Sequence, residues 1–240
     1  MHYFDRLDAA GWRNLVGEDA RCVVEAGSHD GSDTEMLLEA FPQATIHCFE
    51  PADRPRARAQ ERLGDNPRVV LRPEAIADHL GVGPWYASHG SIRGHCDEDS
   101  FPEAVQDDWD LSGSILEPTG HWETHSWLRF EKEDVVPTIS LNFWKREHPE
   151  IGCVDLLWAD IQGAELLMLK GGQRVLEITR YLYAEVYDLS LTPRPEMPEK
   201  LYEGQPCLKE IVEALPGWTC LGYYNGDTML FRNDNAPTGI

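Results

Sequence analysis

The stretch Arg21-Cys-Val-Val-Glu-Ala-Gly-Ser-His-Asp-Gly31 restricts this chain more than any other. Cys22 to Glu25 has strand character, and glycines follow at Gly27 and Gly31. Beyond them Met36, Leu37, Leu38, Ala40 and Phe41 are apolar, so a helix is expected to open at Ser32. Strand, tight glycine turn and helix N-terminus is the arrangement with which open α/β sheets hold nucleotides. Glycine at 27 admits a close backbone approach to a ligand, and glycine at 31 lets the helix begin close to the strand. The loop reads E-x-G-x-x-x-G and lacks the first glycine of the dinucleotide fingerprint, so no pyrophosphate grip is expected. The acidic Glu25 suits a cationic ligand better.

The next expected strand, Ala44-Thr-Ile-His-Cys-Phe-Glu50, alternates apolar positions and stops on a carboxylate before Pro51. An acid there, about 20 residues beyond a glycine loop, is placed to accept both hydroxyls of a ribose. Glycine loop, helix, strand and terminal acid describe an adenosine site without a phosphate grip, which is what S-adenosylmethionine requires. The competing reading is a structural turn with a coincidental acid.

With 240 residues, 42% of them hydrophobic, the chain can bury one α/β core, and residues 1–240 are read as a single domain. No apolar run reaches membrane-spanning length and residues 1–8 have no signal-peptide character, so a cytoplasmic setting is expected. The six cysteines form no C-x-x-C pair; Cys22, Cys48 and Cys153 lie in or beside expected strands and are read as buried free thiols. Forty-two acids against 21 bases give a net charge of −21, which opposes nucleic-acid backbones and anionic membranes as partners. The acids are spread along the chain, so the charge is read as solubility and not as a substrate signal.

An amphipathic helix is expected over residues 3–16, within an N-terminal element ending near 18. A second is expected over 52–63, ended by Gly64, its arginines read as a solvated face. Arg68–Leu71 is the third strand, and the segment after it usually borders an adenine, which singles out Ala75 and Ile76. Gly81-Val-Gly83 reads as a turn into Trp85–Ser88. Residues 89–140 break the alternation and are read as a loop-rich cap over the active site containing a β-hairpin. Asp155–Ile161 is a nearly all-apolar strand ending on Asp160. The helix 166–170 follows it, closed by Gly171-Gly172. Tyr181–Tyr187 is the next strand, with Glu185 near its end. Pro193, Pro195 and Pro198 mark a crossover offering a contact surface for a homo-oligomer. Then come a helix over 208–215, a hairpin around Asn225-Gly226 and a frayed tail over 233–240. The expected architecture is α/β: a doubly wound, mostly parallel sheet of about seven strands with a C-terminal antiparallel hairpin.

In such sheets reactive groups gather at the carboxyl ends of the central strands. Glu25 and Glu50 fall to the cofactor, with Gly27, Ser28, His29, Gly31, Ala75, Ile76 and Asp160 as further contacts. Asp160 and Glu185, on neighbouring strands, would face the methyl group and its acceptor. A sulfonium methyl needs little activation, so the protein must align an oxygen nucleophile and help remove its proton. His121 and His125 are four apart, the spacing of a metal pair on a helix, but no third ligand is evident. His121 is otherwise a base or substrate contact.

Three blocks resemble the FkbM-type S-adenosylmethionine-dependent methyltransferases: Val24-Glu-Ala-Gly-Ser-His-Asp-Gly31, Cys48-Phe-Glu-Pro51 and, most specifically, Asp155-Leu-Leu-Trp-Ala-Asp-Ile-Gln-Gly-Ala-Glu-Leu-Leu-Met-Leu-Lys-Gly171. Tyr183-Ala-Glu185 also falls where such proteins carry a strand-end glutamate, and Ser112-Gly-Ser114 loosely matches a serine-rich turn in the family's insertion. The family often reads Lys-Ile-Asp-Val-Glu-Gly where this chain has Trp158 for the lysine and Gln162 for the glutamate. The resemblance implies a class I, Rossmann-like methyltransferase fold and O-methylation of a hydroxyl on a sugar, glycan, glycolipid or secondary metabolite. His121, Asp160 and Glu185 would then be catalytic. Losing the glutamate weakens a carboxylate-held metal, so magnesium is not expected, although Asp160 and Glu165 remain. Trp122 and Trp127 would stack on a sugar or pack the lid. Two other readings stay open: an NAD(P)-dependent oxidoreductase on a similar sheet, and an inactive cofactor-binding partner in a glycan pathway.

Overall fold

The computed structural model describes residues 3–4, 6–95, 101, 103–190, 197–224 and 226–237. Pro193, Pro195 and Asn225, singled out above, lie outside the described residues, as does Cys96, one of the six cysteines. The chain opens with a two-residue strand, β1 (Tyr3–Phe4), and then a helix, α1 (Ala9–Val16), capped by Asp8, which accepts from the Gly11 N–H at 2.7 Å. The helix expected over 3–16 is therefore split, because its first apolar pair joins a sheet edge.

The glycine loop joins strand to helix as expected. β2 (Cys22–Ala26) is buried at every position, and α2 (Ser32–Ala40) starts from Gly31. β3 (Thr45–Phe49), α3 (Asp53–Leu63) and β4 (Val69–Arg72) continue the alternation. β5 (Ala75–Ala77), β6 (Gly81–His89), α4 (Glu103–Gln106), α5 (His121–Thr124) and β7 (Arg129–Ser140) form the irregular middle of the chain. α6 (Leu141–Glu147), β8 (Val154–Ala159), α7 (Glu165–Gly171), α8 (Gln173–Leu176) and β9 (Thr179–Glu185) restore the alternation. α9 (Leu208–Glu213) precedes the antiparallel pair β10 (Trp218–Tyr224) and β11 (Thr228–Asn233).

The main sheet has eight strands in the order β1-β10-β11-β9-β8-β2-β3-β4. It is mixed: β11 runs antiparallel to both its neighbours, and the remaining pairs are parallel. The count exceeds the expected seven because β1 pairs with β10. Successive residues of a strand face opposite sides, and here both sides are covered, which explains the unbroken apolar runs. Val23, Ile46 and Leu156 pack with Trp12, Leu37 and Phe41 on one face. Val24, Leu157 and Leu182 pack with Met168, Leu169 and Ile211 on the other. Each such side chain contributes about 1.5–3 kcal/mol by leaving water.

Two expectations change. β6 and β7 pair antiparallel, and with β5 they make a second, three-stranded sheet. The segment read as turn and cap is thus bracketed by a long hairpin, whose 129–140 limb is regular strand. The tail does not fray from 233: Asn233 is buried, its Nδ2 donating to the carbonyls of Leu176 and Thr179 at 3.0 Å each. Among the described residues no helix is long and apolar enough to cross a membrane.

Candidate active site

The strand order reverses between β2 and β8, and a crevice opens at the carboxyl ends of the strands where this happens. The crevice holds about 640 Å³, its open mouth included. Its floor comes from Gly27 and His29 after β2, Phe49 to Ala52 after β3, Ala75 and Ile76 of β5, and Asp160, Ile161, Gln162 and Ala164 after β8. Its roof comes from Trp85 of β6 and from Asp110, Leu111, Gly113 and Ile115 of the insertion. Gly27, His29, Glu50, Ala75, Ile76 and Asp160 therefore meet in one cleft. Glu25, Ser28 and Gly31 are not among its lining residues.

Close approach explains both loop glycines, though the partners differ from those expected. A Cβ on Gly27, whose φ is +82°, would lie 1.8 Å from the Asp160 carbonyl oxygen, so the neighbouring β8–α7 turn requires this glycine. A Cβ on Gly31 (φ +79°) would meet Leu63 of α3 at 2.9 Å. Gly27→Ala combines a disfavoured backbone with a backbone clash, and a loss of about 3 kcal/mol or more is expected. Urea unfolding checks this, and a change below about 1 kcal/mol would contradict the packing.

Beneath the loop, Glu25 is fully buried. Its Oε2 accepts from the Thr34 hydroxyl at 2.5 Å and the Cys48 thiol at 3.4 Å, while its Oε1 has no partner among the described residues. Burial pushes its carboxyl up to about 8, although the Thr34 bond opposes this. Ser28 Oγ is likewise buried without a partner. Glu50 is buried at the end of β3, its Oε2 accepting from the His29 N–H at 2.9 Å and its Oε1 from the Ala52 N–H at 2.8 Å. Each carboxylate oxygen has a second lone pair left for a hydroxyl donor. A strand-end carboxylate with lone pairs to spare and an apolar shelf of Phe49, Ala75 and Ile76, all lining the cleft, fit an adenosine.

The roof is tied down by charge. Asp110 accepts from His29 Nε2 at 2.8 Å, from Arg54 Nε at 3.0 Å and from Arg58 Nη2 at 2.8 Å. Arg54 also pairs with Asp108. Burial would lower His29, but its bonds to Asp110 and Asp30 outweigh this and push it up to about 9. Burial would raise Asp110, but His29 and Arg58 hold it down at about 2. Sequence reasoning missed Asp110 because the arginines were read as a solvated face. The signal was their spacing: Arg54 and Arg58 lie one helical turn apart on α3 and reach the same carboxylate.

The raised His29 contributes stability in full below about pH 6.5, and this is lost as pH rises through 9. The Asp110 contribution is present above about pH 4 and is lost as pH falls through 2. Melting temperature is expected to fall between pH 7 and 10 more steeply in the wild type than in His29→Asn. Asparagine tolerates the left-handed backbone at this position, φ +46°. Parallel curves for the two proteins would remove the His29 term.

Of the acids at the ends of β8 and β9, Asp160 lines the cleft and Glu185 does not. Ala159 pairs with Ala184 across these strands, which sets Asp160 beside Glu185. Gln162 Nε2 donates to Asp160 Oδ1 at 2.7 Å and to Glu185 Oε2 at 3.1 Å. Burial first, then the charges of Asp160 and Asp227, raise Glu185 well above the usual carboxylate range. Glu165 is buried and accepts from the Ile161 N–H at 3.1 Å, closing the turn into α7. The Ser112-Gly-Ser114 turn clamps the cap to this end: Ser114 Oγ donates to the Gln162 carbonyl at 2.9 Å, and Ser114 bridges Tyr86 of β6.

His121 stands apart from the cleft lining. It is buried against Tyr202 and Phe130, with ring centroids 4.6 and 4.7 Å away, and its Nδ1 has no partner among the described residues. Burial and the neighbouring His125 pull it down to about 4. Its geometry is that of a core histidine beneath the cap. Trp127 packs edge-on against Trp109 at 5.3 Å, whereas Trp122 is more than half exposed.

A model of the methyltransferase FkbM domain matches residues 25–203. The chain is 34% identical over 221 residues to the 2-O-methyltransferase NoeI of Sinorhizobium fredii, covering 90% of this chain and 82% of that relative. Among solved structures it is similar to a methyltransferase FkbM from Methylobacillus flagellatus, with a TM-score of 0.49 and 14% identity over 89% of this chain and 44% of that one. The chain thus spans less than half of that solved chain. It is also similar to Aeropyrum pernix fibrillarin in complex with S-adenosyl-L-methionine, with a TM-score of 0.44 and 13% identity over 93% and 71% of the two chains.

Proposed function

The chain belongs to the FkbM methyltransferase family, and we propose that it is an O-methyltransferase acting on a hydroxyl of a sugar, glycan, glycolipid or secondary metabolite. It is a S-adenosylmethionine-dependent methyltransferase, which sets aside the nicotinamide-dependent and inactive readings. The observation that carries the proposal is one cleft lined by the strand-end acids Glu50 and Asp160, with Glu185 tied to Asp160 through Gln162. The relative's name, a 2-O-methyltransferase, supports a hydroxyl acceptor.

S-adenosylmethionine, when bound, supplies an electrophilic methyl on a sulfonium. Glu50 would accept the ribose hydroxyls, with Ala75 and Ile76 against the base and Gly27 and His29 along the tail. Glu25 and Ser28 would act from beneath the loop, through the acceptor atoms they leave unpaired. Asp160, which lines the cleft, would accept the proton of the acceptor hydroxyl, and Glu185 would sit behind it. His121 has no part in this arrangement. The acceptor would reach the cleft from the roof side, past the loop that carries Gly113 and Ile115. The setting is proposed as cytoplasmic, supported by the free, buried thiols of Cys22 and Cys48.

The test is transfer of isotopically labelled methyl from S-adenosylmethionine to a panel of hydroxylated sugars, glycolipids and polyketides. Label in an alkali-stable ether on a hydroxylated acceptor supports the proposal. Label only on amines or thiols overturns it.

A further inference from the structure

Gln162 occupies an unusual position. Its backbone is left-handed, with φ +54°, in a turn continued by Gly163 at φ +91°. Its carbonyl is pinned by Ser114 of the cap, and its side chain lies between two carboxyl groups from adjacent strands. The side-chain NH₂ faces both carboxyl groups and donates one N–H to each. The amide oxygen then lies 3.1 Å from the Tyr202 hydroxyl, which is itself 2.8 Å from the Ser112 carbonyl. Tyr202 is buried, and its one hydroxyl proton is shared between these two carbonyl oxygens, so the amide is contacted at both ends.

Two carboxyl groups this close do not both ionise freely: one keeps its proton, as the raised Glu185 does, or something positive stands between them. Commonly that is a divalent cation, held by clustered carboxylate oxygens. Here the space between Asp160 and Glu185 is filled by the two N–H bonds of one amide. Among the described residues no three His, Cys, Asp or Glu side chains converge as a cation site.

We infer that Gln162 is a positioning residue whose side-chain amide bridges Asp160 and Glu185 in the place a divalent cation would otherwise take. It aims the pair at the acceptor hydroxyl and makes the site independent of divalent metal. The inference rests on the proposed role of this carboxyl pair and adds what holds it. A single change to glutamate, Gln162→Glu, would convert the pair into a three-carboxylate site for magnesium or manganese.

The test uses the full chain and two readouts. Manganese binding, followed by water-proton relaxation, needs no acceptor. Wild type is expected to show no site tighter than about 1 mM, and Gln162→Glu a new site at least tenfold tighter that Asp160→Asn in the same background removes. S-adenosylhomocysteine affinity within threefold of wild type shows that the variant is folded. In methyl transfer, wild type should be indifferent to EDTA. Gln162→Ala should lose at least tenfold in kcat with little change in KM. Gln162→Glu should be poor in EDTA and recover at least tenfold with added magnesium.

Wild-type activity abolished by EDTA and restored by magnesium would overturn the inference, as would an undiminished Gln162→Ala enzyme. A folded Gln162→Glu protein that binds no manganese would also overturn it. Failure of the carboxylate reading looks different: Asp160→Asn and Glu185→Gln would both be fully active, whatever the manganese result.

Discussion

Glu50→Ala is expected to weaken S-adenosylhomocysteine binding by at least 100-fold, leaving a folded protein. Two hydrogen bonds from ribose hydroxyls to a carboxylate are each worth about 1.5–3 kcal/mol, and about 2.8 kcal/mol already corresponds to 100-fold in Kd. The side chain also holds the entrance of the cleft, since its oxygens accept from the backbone of His29 on one side and Ala52 on the other. Its loss leaves both N–H groups without that partner, at a cost of about 1–3 kcal/mol of stability. Glu50→Gln is expected to be intermediate, because an amide presents one acceptor where the carboxylate presents two. Isothermal titration beside a thermal melt separates the two effects. Affinity within threefold of wild type in a folded Glu50→Ala protein would remove Glu50 from the cofactor site.

The second large effect is expected at Asp160. Asp160→Asn keeps the shape and removes the acceptor of the hydroxyl proton, and general-base contributions are typically 10²–10⁴-fold. A loss of about 100-fold or more in kcat is expected, with S-adenosylhomocysteine affinity changed less than about tenfold. Glu185→Gln is expected to cost less, about tenfold, because Glu185 is not among the cleft-lining residues and acts through its neighbours. Single-turnover methyl transfer measures both. If Asp160→Asn binds cofactor poorly and the bound fraction reacts at the wild-type rate, Asp160 serves the cofactor only.

Local patterning made much of this architecture legible. The strand–glycine–helix unit at 21–40, the β3 terminus at Glu50, the α3 stop at Gly64 and the closing hairpin all follow from short-range rules. These depend on residues close in sequence, where periodicity and backbone freedom decide the outcome. The least legible part was 75–140. β6 and β7 are separated by a long insertion, and nothing local tells one strand which distant partner it will take. The two-residue β1 was hidden for the same reason, since only its pairing with β10 makes it a strand.

The candidate site divides along the same line. That acids would arrive at the ends of β2, β3, β8 and β9 was readable from where each apolar run stops. Which of them open into the cleft was not. Glu25 is sealed beneath the loop by Thr34 and Cys48, while Asp160 is open. His121 was the preferred base, yet it is buried against Tyr202 and Phe130 and is not among the residues lining the cleft. Asp110 carried no motif, and Gln162, legible only as a departure from the family's glutamate, turned out to bridge Asp160 and Glu185. By itself the sequence determined the fold class, the glycine loop and the acids at strand ends, because those depend on runs of neighbouring residues. Only the tertiary structure decided which polar atoms face the cleft and which pair with one another, because desolvation and hydrogen bonding are set by groups brought together from far apart in the chain.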